Sequence, residues 1–160
     1  MHRSKLIAVF SVIPFALLAQ VALVWGDGEG KLVRGAGTTI VTGGMGAPSF
    51  DPVLTKFGFH WRDGQGRLEC VALAPSAPAG SPASGNFDTN VMYVTGEITS
   101  VAIQGSIATL KGLATVTGLG AGSNVPFTAL AERGGPGARF VLTVSGLTFE
   151  EILLEGGITF

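Results

Sequence analysis

The chain is predicted to be all-β: an antiparallel barrel of about eight strands, closed or nearly closed, preceded by an N-terminal signal helix. A two-sheet sandwich is the alternative. Three observations support this reading. From residue 27 onward the sequence is rich in Gly, Thr, Val and Phe; its apolar residues alternate with polar ones in short runs; and Gly or Pro separates the runs. Such punctuation marks β-strands joined by turns, and about eight strands with short links favour closure into a barrel.

The opening MHRSK is basic, and residues 6–25, LIAVFSVIPFALLAQVALVW, carry no charge. This reads as an export signal covering residues 1–26. Val24-Trp25-Gly26 offers a cleavage point after Gly26, leaving residues 27–160 as one domain. If it stays uncut, the run is long enough to span a bilayer, with Arg3 and Lys5 keeping the extreme N-terminus inside. No cysteine closes the run, so a lipoprotein anchor has no support. Either way the domain is expected outside the cytoplasm, secreted or in the periplasm or cell envelope, with membrane contact only through residues 6–25.

Loss of Arg3 and Lys5 with the signal leaves eight Lys and Arg against eleven Asp and Glu, a net charge of −3. No basic stripe remains, which speaks against nucleic acid as a partner. Cys70 is the only cysteine, so the domain has no internal disulfide and must be held by burial. Cys70 itself reads as a small buried hydrophobe.

The alternation places strands at 31–41, 54–62, 65–73, 90–103, 106–117, 124–133, 138–145 and 154–160. Residues 74–86, APSAPAGSPASGN, are too poor in large apolar side chains to build core and read as a flexible loop. The acidic pair Glu150-Glu151 before Ile-Leu-Leu suggests a helical turn or a loop. Gly134-Gly135-Pro136-Gly137 reads as the turn of a hairpin joining 127–132 to 139–145, and the glycine-broken final strand is placed to meet the first.

The stretch FGFHWRDGQGRLEC, residues 57–70, holds the one histidine outside the N-terminal segment. Alternation puts Phe57, Phe59 and Trp61 on one face and Lys56, His60 and Arg62 on the other. With Asp63-Gly64-Gln65-Gly66 as the loop, Arg62 would oppose Arg67, Trp61 Leu68, His60 Glu69 and Phe59 Cys70. His60 and Glu69 are thus the catalytic candidates, a carboxylate orienting an imidazole, and Lys56, His60, Arg62 and Glu69 the ligand-binding candidates. The same arrangement also describes a cross-strand polar pair on a wet surface.

Other chemistry lacks its parts. One His and one Cys are a poor supply for a transition-metal site, and Asp27-Gly28-Glu29-Gly30 lacks the rest of a calcium loop. There is no Gly-x-Ser-x-Gly. Gly35-Ala36-Gly37 and Gly118-Leu119-Gly120-Ala121-Gly122 read as turns and bulges rather than phosphate loops. Asp88, Glu97, Glu132, Glu150 and Glu151 are carboxylates that could form a glycosidase pair only if the fold spaced two of them suitably. No cofactor or metal is expected.

The order FGFHWRDGQGRLEC, EITSVAIQGSIATLKGLATVTG, PFTALAERGGPGARFVLTVSG and LEGGITF resembles the small secreted bacterial β-domains called post-COAP domains, over roughly residues 35–160. In that pattern a Gly-x-Leu-x-Tyr-like strand is followed by a strand pair around a Gly and by a Pro-Gly turn into a Phe-x-Leu strand. Here Cys70 stands where an aromatic is more usual, and Ala138-Arg139 replaces an Asp-containing approach to the Phe strand. The resemblance implies an exported accessory domain and carries over no catalytic residue.

The expected function is therefore non-catalytic association with a surface or envelope component, through strand edges or a barrel mouth. A calycin-like barrel holding one small ligand inside is the alternative, and a hydrolase or isomerase using His60 and Glu69 the third reading. Partners to expect are an envelope protein, a glycan or a small ligand.

Overall fold

The computed structural model describes residues 32–46 and 52–160. They form β1 (Val33–Gly43), β2 (Leu54–Arg62), β3 (Gln65–Pro75), β4 (Phe87–Gln104), β5 (Ile107–Gly118), β6 (Gly122–Glu132), β7 (Arg139–Val144) and β8 (Leu147–Thr159). Each strand pairs antiparallel with the next, and β8 returns to β1, so the sheet closes as an up-and-down barrel and not as a sandwich. The expected signal segment, its cleavage point and the acidic stretch at residues 27–30 lie outside the described residues.

The alternation in the sequence sorts the two faces. Phe57, Phe59 and Trp61 of β2 and Leu68, Cys70 and Ala72 of β3 are buried inside, while Lys56, His60, Arg62, Arg67 and Glu69 stand outside. Phe57 stacks on Phe140 of β7 with ring centroids 4.7 Å apart, and Phe59 lies 6.0 Å from Phe57 and 6.2 Å from Phe140. Leu68, Leu110, Leu142, Leu153, Val94 and Val144 fill the space around this stack. Each such side chain contributes about 1.5–3 kcal/mol on burial, so the barrel is held by a packed interior.

Closure requires curvature, and register shifts supply it in β1 against β8, β3 against β4, β4 against β5 and β5 against β6. Between Ile98 and Ser100 the shift bends the 18-residue β4, the longest strand, across the barrel.

Two expectations are corrected. The β2–β3 loop has two residues, not four: Asp63 (φ 52°) and Gly64 (φ 82°) both take the left-handed conformation of a type I′ turn. Pairing therefore slides by two residues, to Arg62–Gln65, Trp61–Gly66, His60–Arg67, Phe59–Leu68 and Phe57–Cys70. A slip of two preserves the faces, which is why the buried set is as expected although the pairs differ. The like-charged Arg62–Arg67 pair is thereby avoided, and Arg62 lies 3.3 Å from Asp63 instead.

Glu150-Glu151 form neither the expected helical turn nor a loop. They belong to β8, which starts at Leu147 after a Ser145-Gly146 turn with φ of 53° and 75°. Phe149, Glu151 and Leu153 face inward, Glu150, Ile152 and Leu154 outward. The β6–β7 hairpin and the contact of the last strand with the first form as expected.

Candidate functional site on the outer wall

Neighbouring strands carry their outward side chains in lateral rows. One row runs Arg34 (β1), His60 (β2), Arg67 (β3), Glu97 (β4). The next runs Ala36, Gly58, Glu69, Thr95, and the third Thr38, Lys56, Val71, Tyr93. Successive rows lie about 7 Å apart along the strands, and neighbours within a row about 5 Å apart. Because Gly58 has no side chain, the middle row leaves an open depression of about 630 Å³, rimmed by Lys56, His60, Arg67, Glu69 and Tyr93.

His60 opposes Arg34 on one side and Arg67 on the other, and not Glu69. The expected His60–Glu69 opposition therefore does not form, because the two-residue turn puts Gly58 across from Glu69. Glu69 instead accepts a hydrogen bond from the Tyr93 hydroxyl, which holds the Tyr93 phenol above its ordinary range. Among the described residues no hydrogen bond joins His60 to Glu69, so the imidazole has no carboxylate to orient it. Of the ligand-binding candidates, Lys56, His60 and Glu69 share the depression. Arg62 lies with His60 and Arg67 on a second open depression of about 620 Å³ at the turn end of the hairpin.

Electrostatically the rim is basic. Lys56, His60 and Arg67 form no ion pair among the described residues, and Arg34 donates only to the Thr159 hydroxyl, at 3.4 Å. The described residues contain no cluster of three or more His, Cys, Asp or Glu able to hold a metal ion.

Inside the barrel the structure reveals a polar group that alternation alone would have placed in the core. Glu151 is 3 % exposed, and its carboxyl group is joined by the hydroxyls of Thr39 and Thr55. Burial pushes its pKa up from 4.5 to about 7, against the opposing effect of the two threonine hydrogen bonds. The run Phe149, Glu151, Leu153 was the available signal. Cys70 is buried nearby, its thiol pushed up by burial and then by the charges of Glu151 and Glu69.

In comparisons with known proteins, the chain matches no protein-family model, no curated protein and no solved structure.

Proposed function

We propose that this chain is an exported, non-catalytic β-barrel that associates with a surface or envelope component through its outer wall at the β1–β3 sector. The observation that carries the reading is the division of labour between the faces. The interior is occupied by Phe57, Phe59, Phe140 and their aliphatic neighbours, whereas the basic rim and its open depressions lie outside. An aromatic-filled interior takes away the space a calycin-like ligand would need, and closure takes away the strand edges as a contact surface. Catalysis by His60 loses its orienting carboxylate to Tyr93. The resemblance to post-COAP domains implies the same accessory role.

Co-sedimentation tests this reading. The full-length protein should pellet with an envelope fraction of its own organism, and the double variant His60→Ala/Arg67→Ala should remain largely in the supernatant. Equal pelleting of both, or of neither, would count against the outer wall as the contact surface.

A further inference from the structure

Gly58 sits mid-strand in β2, paired without a bulge to Ala36 on one side and Glu69 on the other. Most other strand glycines have a steric reason to be glycine. A Cβ would fall 2.6 Å from the Phe59 ring at Gly35, 2.1 Å from the Glu155 carbonyl at Gly37, 2.3 Å from the His60 carbonyl at Gly66 and 1.8 Å from the Glu97 carbonyl at Gly112. At Gly58 a Cβ meets nothing within 4 Å, and the backbone is not in the left-handed region. A mid-strand glycine that serves neither a bulge nor a close internal contact often marks a place where a ligand approaches the backbone.

What approaches must suit the rim. Lys56 and His60 bracket Gly58 along β2, and Arg67 stands beside His60; the Lys56 and Arg67 cations lack an ion-pair partner among the described residues, and the His60 imidazole offers a ring nitrogen beside them. They call for an anion, and a guanidinium suits a planar carboxylate or a sulfate best. Glu69 faces the same depression and would repel a bare polyanion, but its carboxylate accepts hydrogen bonds from hydroxyl groups, and the Tyr93 oxygen beside it can accept another. Cations and hydroxyl acceptors around a side-chain-free floor describe one ligand class: a flat polyhydroxylated ring that also bears negative charge.

We infer that the Gly58 depression binds an acidic saccharide, its anionic group on Arg67 and His60, its hydroxyls toward Glu69 and Tyr93, and Lys56 at the far end of the depression. This assignment rests on the proposed outer-wall association and names its partner. Binding weakens with salt, since the cations are exposed and screened over about 10 Å at 0.1 M ionic strength.

Isothermal titration of the full-length protein with trigalacturonate, a sulfated trisaccharide, a neutral trisaccharide, inorganic phosphate and a short single-stranded DNA tests it. One or both acidic sugars should bind, the neutral sugar roughly tenfold more weakly, and phosphate and DNA should not compete. Gly58→Tyr fills the depression without touching the barrel and should weaken binding about tenfold at unchanged melting temperature; Arg67→Gln should do the same, and Lys111→Gln on β5 should change nothing. If Gly58→Tyr does not fold, Arg67→Gln decides. Failure of both acidic sugars to bind, equal binding of the neutral sugar or of DNA, or full binding by Arg67→Gln would overturn the assignment. Envelope co-sedimentation that persists in Gly58→Tyr would refute it too, while leaving outer-wall association standing.

Discussion

At Glu151 the fold places a carboxyl group where water does not reach, and proton bookkeeping indicates which form it takes. The Thr39 hydroxyl lies against Glu151 and also 3.2 Å from the Thr55 carbonyl, yet it has one proton to give. A neutral Glu151 resolves this: it donates to the Thr39 oxygen, Thr39 donates to the Thr55 carbonyl, and the Thr55 hydroxyl donates back to Glu151 at 3.1 Å. Since the folded pKa of about 7 exceeds the ordinary 4.5, folding takes up a proton between those values. The stabilisation is complete below pH 4.5 and is lost as pH rises through about 7. The shift corresponds to about 3 kcal/mol. Urea melts should show the wild type losing this stability between about pH 4.5 and about pH 7 and levelling off above, and Glu151→Gln losing much less; parallel curves would contradict a neutral acid in the core. Cys70 carries a companion prediction: with its thiol buried and held protonated, a thiol reagent should modify it only when the protein unfolds.

Among the elements, the β2–β3 hairpin shows what sequence can and cannot convey. Its strand starts, its faces and its buried set follow from alternation over local residues, although β3 runs two residues further than expected, to Pro75; alternation is unchanged by a two-residue slip, so it cannot choose the pairs. The turn chooses them, and Asp63-Gly64, the tight-turn dipeptide, outcompetes the four-residue loop because both residues tolerate positive φ. Gly64→Ala should cost about 1 kcal/mol in thermal or chemical melts, since φ of 82° strains any side chain; an unchanged midpoint would argue against this turn. In β8 the obstacle is different. Glu151 is tolerated inside a strand because Thr39 and Thr55 meet it from 112 and 96 residues away, and neither partner is visible locally. The same holds for the site: Lys56, His60 and Glu69 share a face by alternation, but only the registers of β3 against β4 and of β1 against β2 bring Tyr93 to Glu69 and Arg34 to His60.

For the whole molecule, closure joins β8 to β1, so the described strands form a sheet with no first or last edge, and the proposed association uses side chains on the wall. Exposed charges such as Arg34, Lys56, Arg67, Lys111, Arg139 and Glu150 stand on that wall around an apolar interior. The interior is central to stability. Phe140, fully buried between strands and stacked on Phe57, should cost about 3–5 kcal/mol when truncated to alanine, measured by denaturant melts. A loss under about 1 kcal/mol would mean that the barrel is not packed through its centre.

The most direct measurement is a two-dimensional amide NMR spectrum of the full-length protein, recorded before and after addition of solubilised envelope material. Association through the outer wall predicts shifts concentrated on Arg34, Ala36, Lys56, Gly58, His60, Arg67 and Glu69, with Phe140, Leu142 and Glu151 unmoved. Shifts centred on the interior residues instead would place the partner inside the barrel and contradict association through the outer wall.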